Sequence, residues 1–194
     1  MRARILFSTN GQKHEPMTKL MAGVCLVCLS LFCAISSFSA EQAMSVGYGF
    51  GFLNPRKSTG HIQGGQMYDF FQVAYLYERA SGLKNLDVTA QPWAAYVNRP
   101  NDGADVGFNL GIRYYPIRKD DWRPFLSAGV GAAYTTIGFE EQGTHFDFIL
   151  QAGFGLRYKN FFIEDTFRHY SNGGTASPNR SVHANIVTVG YYFW

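Results

Sequence analysis

The chain has 194 residues, with 17 Lys and Arg against 14 Asp and Glu, a formal net charge of +3. Setting aside the first 40 residues, which hold Arg2, Arg4, Lys13, Lys19 and Glu15, leaves 13 residues of each sign, so charge gives no reason to expect a nucleic-acid partner. All three cysteines, Cys25, Cys28 and Cys33, lie in that leader; the rest offers no disulfide, no thiolate nucleophile and no thiolate metal site.

Lys19 precedes an uncharged run, Leu20 to Ile35, and small residues follow at Ser36, Ser37, Ser39 and Ala40. A basic start, a short apolar middle and a small-residue end form a secretory signal peptide. The run is short for a spanning helix, which needs about 20 apolar residues. Residues 1–40 are therefore expected to be an export signal, starting at Met1 or Met17 and cut near Ser39 or Ala40. An uncleaved anchor is the other reading. Residues 41–194 are the expected mature domain.

From Met44 onward the chain reads as eight alternating segments separated by turn residues, with no helical period of comparable strength. Met44 to Phe52 sets Val46, Tyr48, Phe50 and Phe52 against Ser45, Gly47, Gly49 and Gly51. Met67 to Tyr77 and Leu86 to Val97 are less regular. Gly103 to Tyr115 sets Val106, Phe108, Leu110, Ile112 and Tyr114 against Gly107, Asn109, Gly111 and Arg113. Trp122 to Tyr134 carries Trp122, Leu126, Val130 and Tyr134 on one parity. Thr144 to Tyr158 carries Phe146, Phe148, Leu150, Ala152, Phe154 and Leu156 opposite Asp147, Gln151, Gly153, Gly155 and Arg157. Asn160 to Ser171 and His183 to Trp194 complete the set.

The segments are long for globular strands and suit tilted membrane strands. One face is large and aromatic; the other is glycine, small polar and charged. That pattern predicts an all-β fold, an eight-stranded antiparallel transmembrane β-barrel with the aromatic face toward lipid. A soluble barrel or β-sandwich would reverse the faces. Tyr96, Tyr114, Trp122, Tyr134, Tyr158 and Trp194 are placed for interfacial belts. An even strand number puts both termini in the periplasm. The connections at 54–66, 98–103, 138–143 and 172–182 then face the exterior.

The seventh segment ends in Phe167-Arg168-His169-Tyr170-Ser171-Asn172-Gly173-Gly174. Residues i and i+2 of a strand share a face, roughly 7 Å apart. His169 and Ser171 share theirs with Phe161, Ile163 and Phe167, so they are expected to face lipid near the outer rim. Serine becomes a nucleophile beside a base, and histidine is the usual one near neutral pH. The simplest hairpin register pairs His169 with His183 and Phe167 with Asn185. On residue types alone a His-x-Ser pair is a weak signal.

His169-Tyr170-Ser171-Asn172-Gly173-Gly174, followed by Pro178-Asn179, resembles the signature of the lipid A 3-O-deacylase (PagL) family. Gly143 to Phe148 and Gln151 to Tyr158 are similar to that family's sixth strand. The resemblance spans essentially the mature chain and is strongest in roughly the last 50 residues. It implies an outer-membrane esterase that removes the acyl chain ester-linked at position 3 of lipid A, and it implies no cofactor. By that resemblance His169 is the base and Ser171 the nucleophile, with Asn172 and the Gly174 N–H forming the oxyanion hole. Gly173 stands where the family commonly has alanine.

One position departs. The family's acidic member aligns fourteen residues after the histidine, at His183. Its task is to orient the base and offset its positive charge. Three readings stay open: His183 is a weaker orienter, a dyad suffices with Asn185 or a backbone carbonyl orienting His169, or activity is feeble or lost. Asp165 shares the face but lies four residues away, roughly 13 Å. Glu164 is expected to point inward.

A lipid-facing site at the outer rim meets lipopolysaccharide, whose lipid A carries phosphates and esters. Arg56, Lys57, Arg99 and Arg180 fall in external loops and are candidate phosphate contacts. Basic loops that simply tolerate an anionic surface are the bland alternative. No zinc spacing, calcium loop or phosphate-binding glycine loop is present. Expected partners are lipid A and the surrounding outer-membrane lipids; a homodimer is left open. Against the esterase stand a non-catalytic small barrel and a different outer-leaflet enzyme, a lipid hydrolase or an acyltransferase.

Overall fold

The computed structural model describes residues 40–53, 57–58, 61–62, 67–118, 120–137 and 142–193. The expected export signal, except Ala40, and Trp194 lie outside the described residues. The eight long strands are β1 (Glu41–Leu53), β2 (Met67–Ala80), β3 (Leu86–Arg99), β4 (Gly103–Tyr114), β5 (Trp122–Thr135), β6 (Phe146–Tyr158), β7 (Phe161–Ser171) and β8 (Val182–Tyr192). Each pairs antiparallel with its chain neighbours, and β8 closes on β1. Closure leaves no unpaired sheet edge, the condition for a sheet in hydrocarbon. Between β1 and β2, Lys57–Ser58 pairs with His61–Ile62. Two-residue strands carry no readable period, so alternation does not announce them.

The faces fall as the alternation requires. Leu126, Leu150, Phe154 and Phe161 are exposed outward, Phe154 and Phe161 by 62%. Ser45, Gln72, Asn109, Arg113, Glu164 and Arg168 are buried in the lumen. Trp122 and Tyr158 bring their rings to 4.4 Å on the outside wall, at the end where the short turns lie. Short turns there and longer connections at the other end identify the periplasmic and external sides. β1 begins and β8 ends at the periplasmic side, since Ala43 pairs with Tyr192.

Three strands run past the apolar alternation because polar partners extend them. β1 starts at Glu41, whose carboxylate takes two hydrogen bonds from Arg157, at 2.6 and 2.8 Å. β2 continues to Ala80 and carries Glu78 into the lumen. β3 continues to Arg99, which donates to Asp69 at 2.5 Å.

The lumen is filled. Tyr68, Phe70, Trp93, Tyr170 and Ile186 form one apolar cluster, and Leu76, Tyr115, Phe125, Phe162 and Tyr192 another. Arg113 holds the periplasmic half together. It donates to Glu78 at 3.0 Å and to the Tyr192 hydroxyl at 2.7 Å, and it also pairs with Glu164. Its guanidinium lies 4.4 Å from the Phe125 ring centre and 4.7 Å from that of Phe162. A buried ion pair is tolerable when its remaining polar atoms are bonded. Here Ser127 donates to the second Glu164 oxygen at 2.6 Å, and Tyr115 donates to Glu78 at 2.5 Å.

Candidate active site

Parity on β7 is set from inside. Arg168 donates to Gln72 at 2.9 Å and to Gln151 at 3.1 Å, and its guanidinium lies 4.5 Å from the Trp93 ring. Tyr170 is buried beside it. A strand that commits Arg168 and Tyr170 to the lumen must turn His169 and Ser171 outward. Both are half-buried on the lipid side, at the external end of the barrel. The sequence-derived register is the one observed: His169 pairs with His183 and Phe167 with Asn185. On the other side His169 pairs with Leu150, and Ser171 with Phe148.

The two imidazoles meet. Their Nδ1 atoms are 3.3 Å apart and their ring centres 4.9 Å apart. His183 also stacks on Phe167, at 5.4 Å and 23°. A hydrogen bond between two neutral imidazoles needs one Nδ1–H donor and one bare Nδ1 acceptor. With His169 as donor, its Nε2 carries the free lone pair, the tautomer a base requires. Phe167 fixes the plane of His183, so this orientation is held by packing.

Among the described residues, neither Asp165 nor Glu164 takes the missing acid's place. Asp165 faces outward but pairs with Val187 and Phe154, four residues from His169 along β7. Its Oδ1 is buried and accepts no hydrogen bond among the described residues. Glu164 is committed to Arg113 and Ser127 in the lumen.

The turn after Ser171 is tightly organised. Thr175 N–H returns to the Asn172 carbonyl at 3.1 Å. Gly173 and Gly174 both have positive φ, 63° and 82°, a conformation natural to glycine at both central turn positions. Asn172 is fully buried. Its Oδ1 accepts from Gly174 N–H at 2.7 Å. Its Nδ2 donates to the carbonyls of Gln142 at 2.6 Å, Ala176 at 2.9 Å and Pro178 at 3.1 Å. The two groups expected to form the oxyanion hole are thus engaged with the loop itself: the Asn172 amide with three carbonyls, and the Gly174 N–H with Asn172 Oδ1.

The basic candidates separate. Arg56 lies outside the described residues, as does the Lys57 side chain. Arg99 stands at the end of β3, four strands from β7 in the ring of eight, and is already paired with Asp69; it is on the far wall from His169. Arg180 is exposed in the last loop, and its carbonyl accepts from Gln142. Of the four, only Arg180 is described beside the His169–Ser171 pair. The residue that sequence reasoning overlooked is Gln142. It lies in an irregular connection, where neither period nor charge marks it.

A family model described as lipid A 3-O-deacylase (PagL) matches residues 69–192, well over half the chain. The chain belongs to the lipid A 3-O-deacylase (PagL) family. Members of this family are carboxylic ester hydrolases, and the chain is accordingly an outer-membrane β-barrel enzyme of that class. The crystal structure of the outer membrane enzyme PagL is similar at 19% identity, with a TM-score of 0.58, over 76% of this chain and 98% of that one. Neisserial surface protein A is similar at 13% identity, with a TM-score of 0.51, over 79% and 97%. These two likenesses speak for the barrel; the family match speaks for the chemistry. No curated protein matches the chain.

Proposed function

We propose that this PagL-family barrel is a serine esterase that removes the 3-O acyl chain of lipid A at the outer lipid boundary. The observation that carries the reading is the outward His169–Ser171 pair at the external end of β7, with His183 held against His169. Ser171 Oγ attacks the ester carbonyl while His169 takes its proton. His169 then returns that proton to the departing sugar oxygen, leaving an acyl-serine. Water, deprotonated by His169, attacks the acyl-serine and releases a 3-hydroxy fatty acid. The oxyanion forming in each step needs aimed donors. Asn172 Nδ2 would have to abandon three carbonyls to serve. The Gly174 N–H needs only to exchange Asn172 Oδ1 for the substrate oxygen, so it is the better donor and Asn172 the former of the turn. Arg180 is the phosphate contact, and lipid A enters sideways from the bilayer. We further propose that residues 1–40 direct export to the outer membrane.

Mass spectrometry of lipid A from cells with and without the chain tests the reading. The expected result is loss of one 3-hydroxyacyl group. A gained acyl chain would point to a transferase. Unchanged lipid A would favour the non-catalytic barrel, for which His183 in place of an acid is the best argument.

His183 supplies a second test. A neutral imidazole accepts the His169 N–H but cannot balance the imidazolium that forms as Ser171 attacks. A hydrogen bond to a charged partner exceeds a neutral one by roughly 1–1.5 kcal/mol, about tenfold in rate. His183→Glu is therefore expected to raise kcat about tenfold, measured as fatty-acid release from purified lipid A. An unchanged or lower kcat would mean that the imidazole already suffices.

A further inference from the structure

One buried glutamine joins the three chain segments that frame the serine. Gln142 lies in the β5–β6 connection and is fully buried. Its Oε1 accepts the Asn172 N–H at 2.9 Å, on the residue directly after Ser171. Its Nε2 donates to the Tyr170 carbonyl at 3.3 Å, on the residue directly before Ser171, and to the Arg180 carbonyl at the entry to β8. Its own carbonyl accepts from Asn172 Nδ2. A single side chain thus holds the backbone on both sides of Ser171 and ties it to the strand that carries His183.

The neighbouring residue is built for the same contact. Gly143 has φ +59°, and a Cβ there would lie 2.5 Å from the Ser177 carbonyl oxygen. The β5–β6 connection therefore presses directly on the last external loop. β7 ends at Ser171, so its ladder no longer fixes the residues beyond. Without Gln142, the Asn172 N–H would lose its close acceptor, keeping only a 3.3 Å bond to Asn179 Oδ1. Buried backbone donors are almost always satisfied, and losing such a partner favours local rearrangement.

We propose that Gln142 is a positioning residue, resting on the esterase reading above: it holds Ser171 at the height on β7 where the His169 imidazole reaches it. A misplacement of about 1 Å at a reacting atom can cost about 100-fold, so loss of the clamp should appear in turnover more than in binding.

Gln142→Met keeps the side-chain length and removes the bonds to Asn172, Tyr170 and Arg180. In purified, detergent-folded protein it is expected to lower kcat for lipid A deacylation at least tenfold, with KM within about twofold. The Asn172 amide should exchange with solvent faster, read by NMR. If Gln142→Met fails to give a heat-modifiable barrel, Gly143→Ala is the second variant. It keeps Gln142 but forces the connection away from Ser177, and the same fall in kcat is expected. Native kcat in a folded variant, or an unchanged Asn172 exchange rate, would overturn the proposal. Ser171→Ala run in parallel separates the two readings: if it remains active, the esterase assignment has failed, while amide exchange still reports on the clamp.

Discussion

Ser171→Ala is expected to lower release of 3-hydroxy fatty acid from lipid A by at least about 10³-fold, with the barrel intact. Residues of a nucleophile–base unit act together, so His169→Ala should cost a similar factor and the double variant little more. The fold should not notice either change. Both side chains face outward at the rim and neither belongs to the lumen clusters. Arg168 and Tyr170, which set the strand's parity, are untouched. The measurement is fatty-acid release by mass spectrometry, beside heat-modifiable migration as the check on folding. Independent, multiplying losses would break the idea of a shared proton transfer. Full activity in Ser171→Ala would remove the serine from the mechanism.

The second large effect concerns stability. Arg113→Met is expected to destabilise the barrel by about 3–5 kcal/mol, because it leaves Glu78 and Glu164 buried without their cation. Arg113 is 2% exposed, so neither water nor lipid headgroups can compensate for the lost charge. The loss also removes the packing of the guanidinium on Phe125 and Phe162. Urea unfolding in detergent micelles measures it. Adding Glu78→Gln and Glu164→Gln to Arg113→Met should recover much of the loss, since the unpaired charges and not the missing cation are the cost. Arg113 sits in the periplasmic half of the lumen, and the His169–Ser171 pair sits outside at the external rim. Turnover per folded molecule should therefore stay near native. A fall in kcat as large as that of Ser171→Ala would mean that the lumen and the rim are coupled.

The two predictions separate what the inside and the outside of the wall do. The lumen carries buried charge, and around Arg113 that charge is paired within the protein. The outer face carries almost none, and the polar groups that it does show on β7 and β8 stand out for that reason. His169, Ser171, His183, Asn185 and Asp165 interrupt a surface that is otherwise aromatic and aliphatic. Four of them lie toward the external end; Asp165 lies deeper and takes no part in the cluster.

Much of this was legible in the residues because a strand has a period of two. Once Val106, Leu110 and Ile112 share a face with lipid, Asn109 and Arg113 must face the lumen, with no knowledge of distant contacts. The same rule turned His169 and Ser171 outward. The simplest hairpin register set His169 against His183, and a slip by two residues would have changed that partner without changing the face. Only the folded chain decided the rest. Which carboxylate meets Arg113, that Arg99 lies across the ring from the site, and that Asn172 spends its amide on loop carbonyls depend on segments far apart in sequence. Gln142 is the clearest case. It sits in a connection with no period, 28 residues from Tyr170 and 38 from Arg180, and closure of the barrel is what brings these three together. Alternation is a local property that backbone geometry imposes on each strand by itself. Hydrogen bonds between loops exist only after every strand has taken its place around the ring.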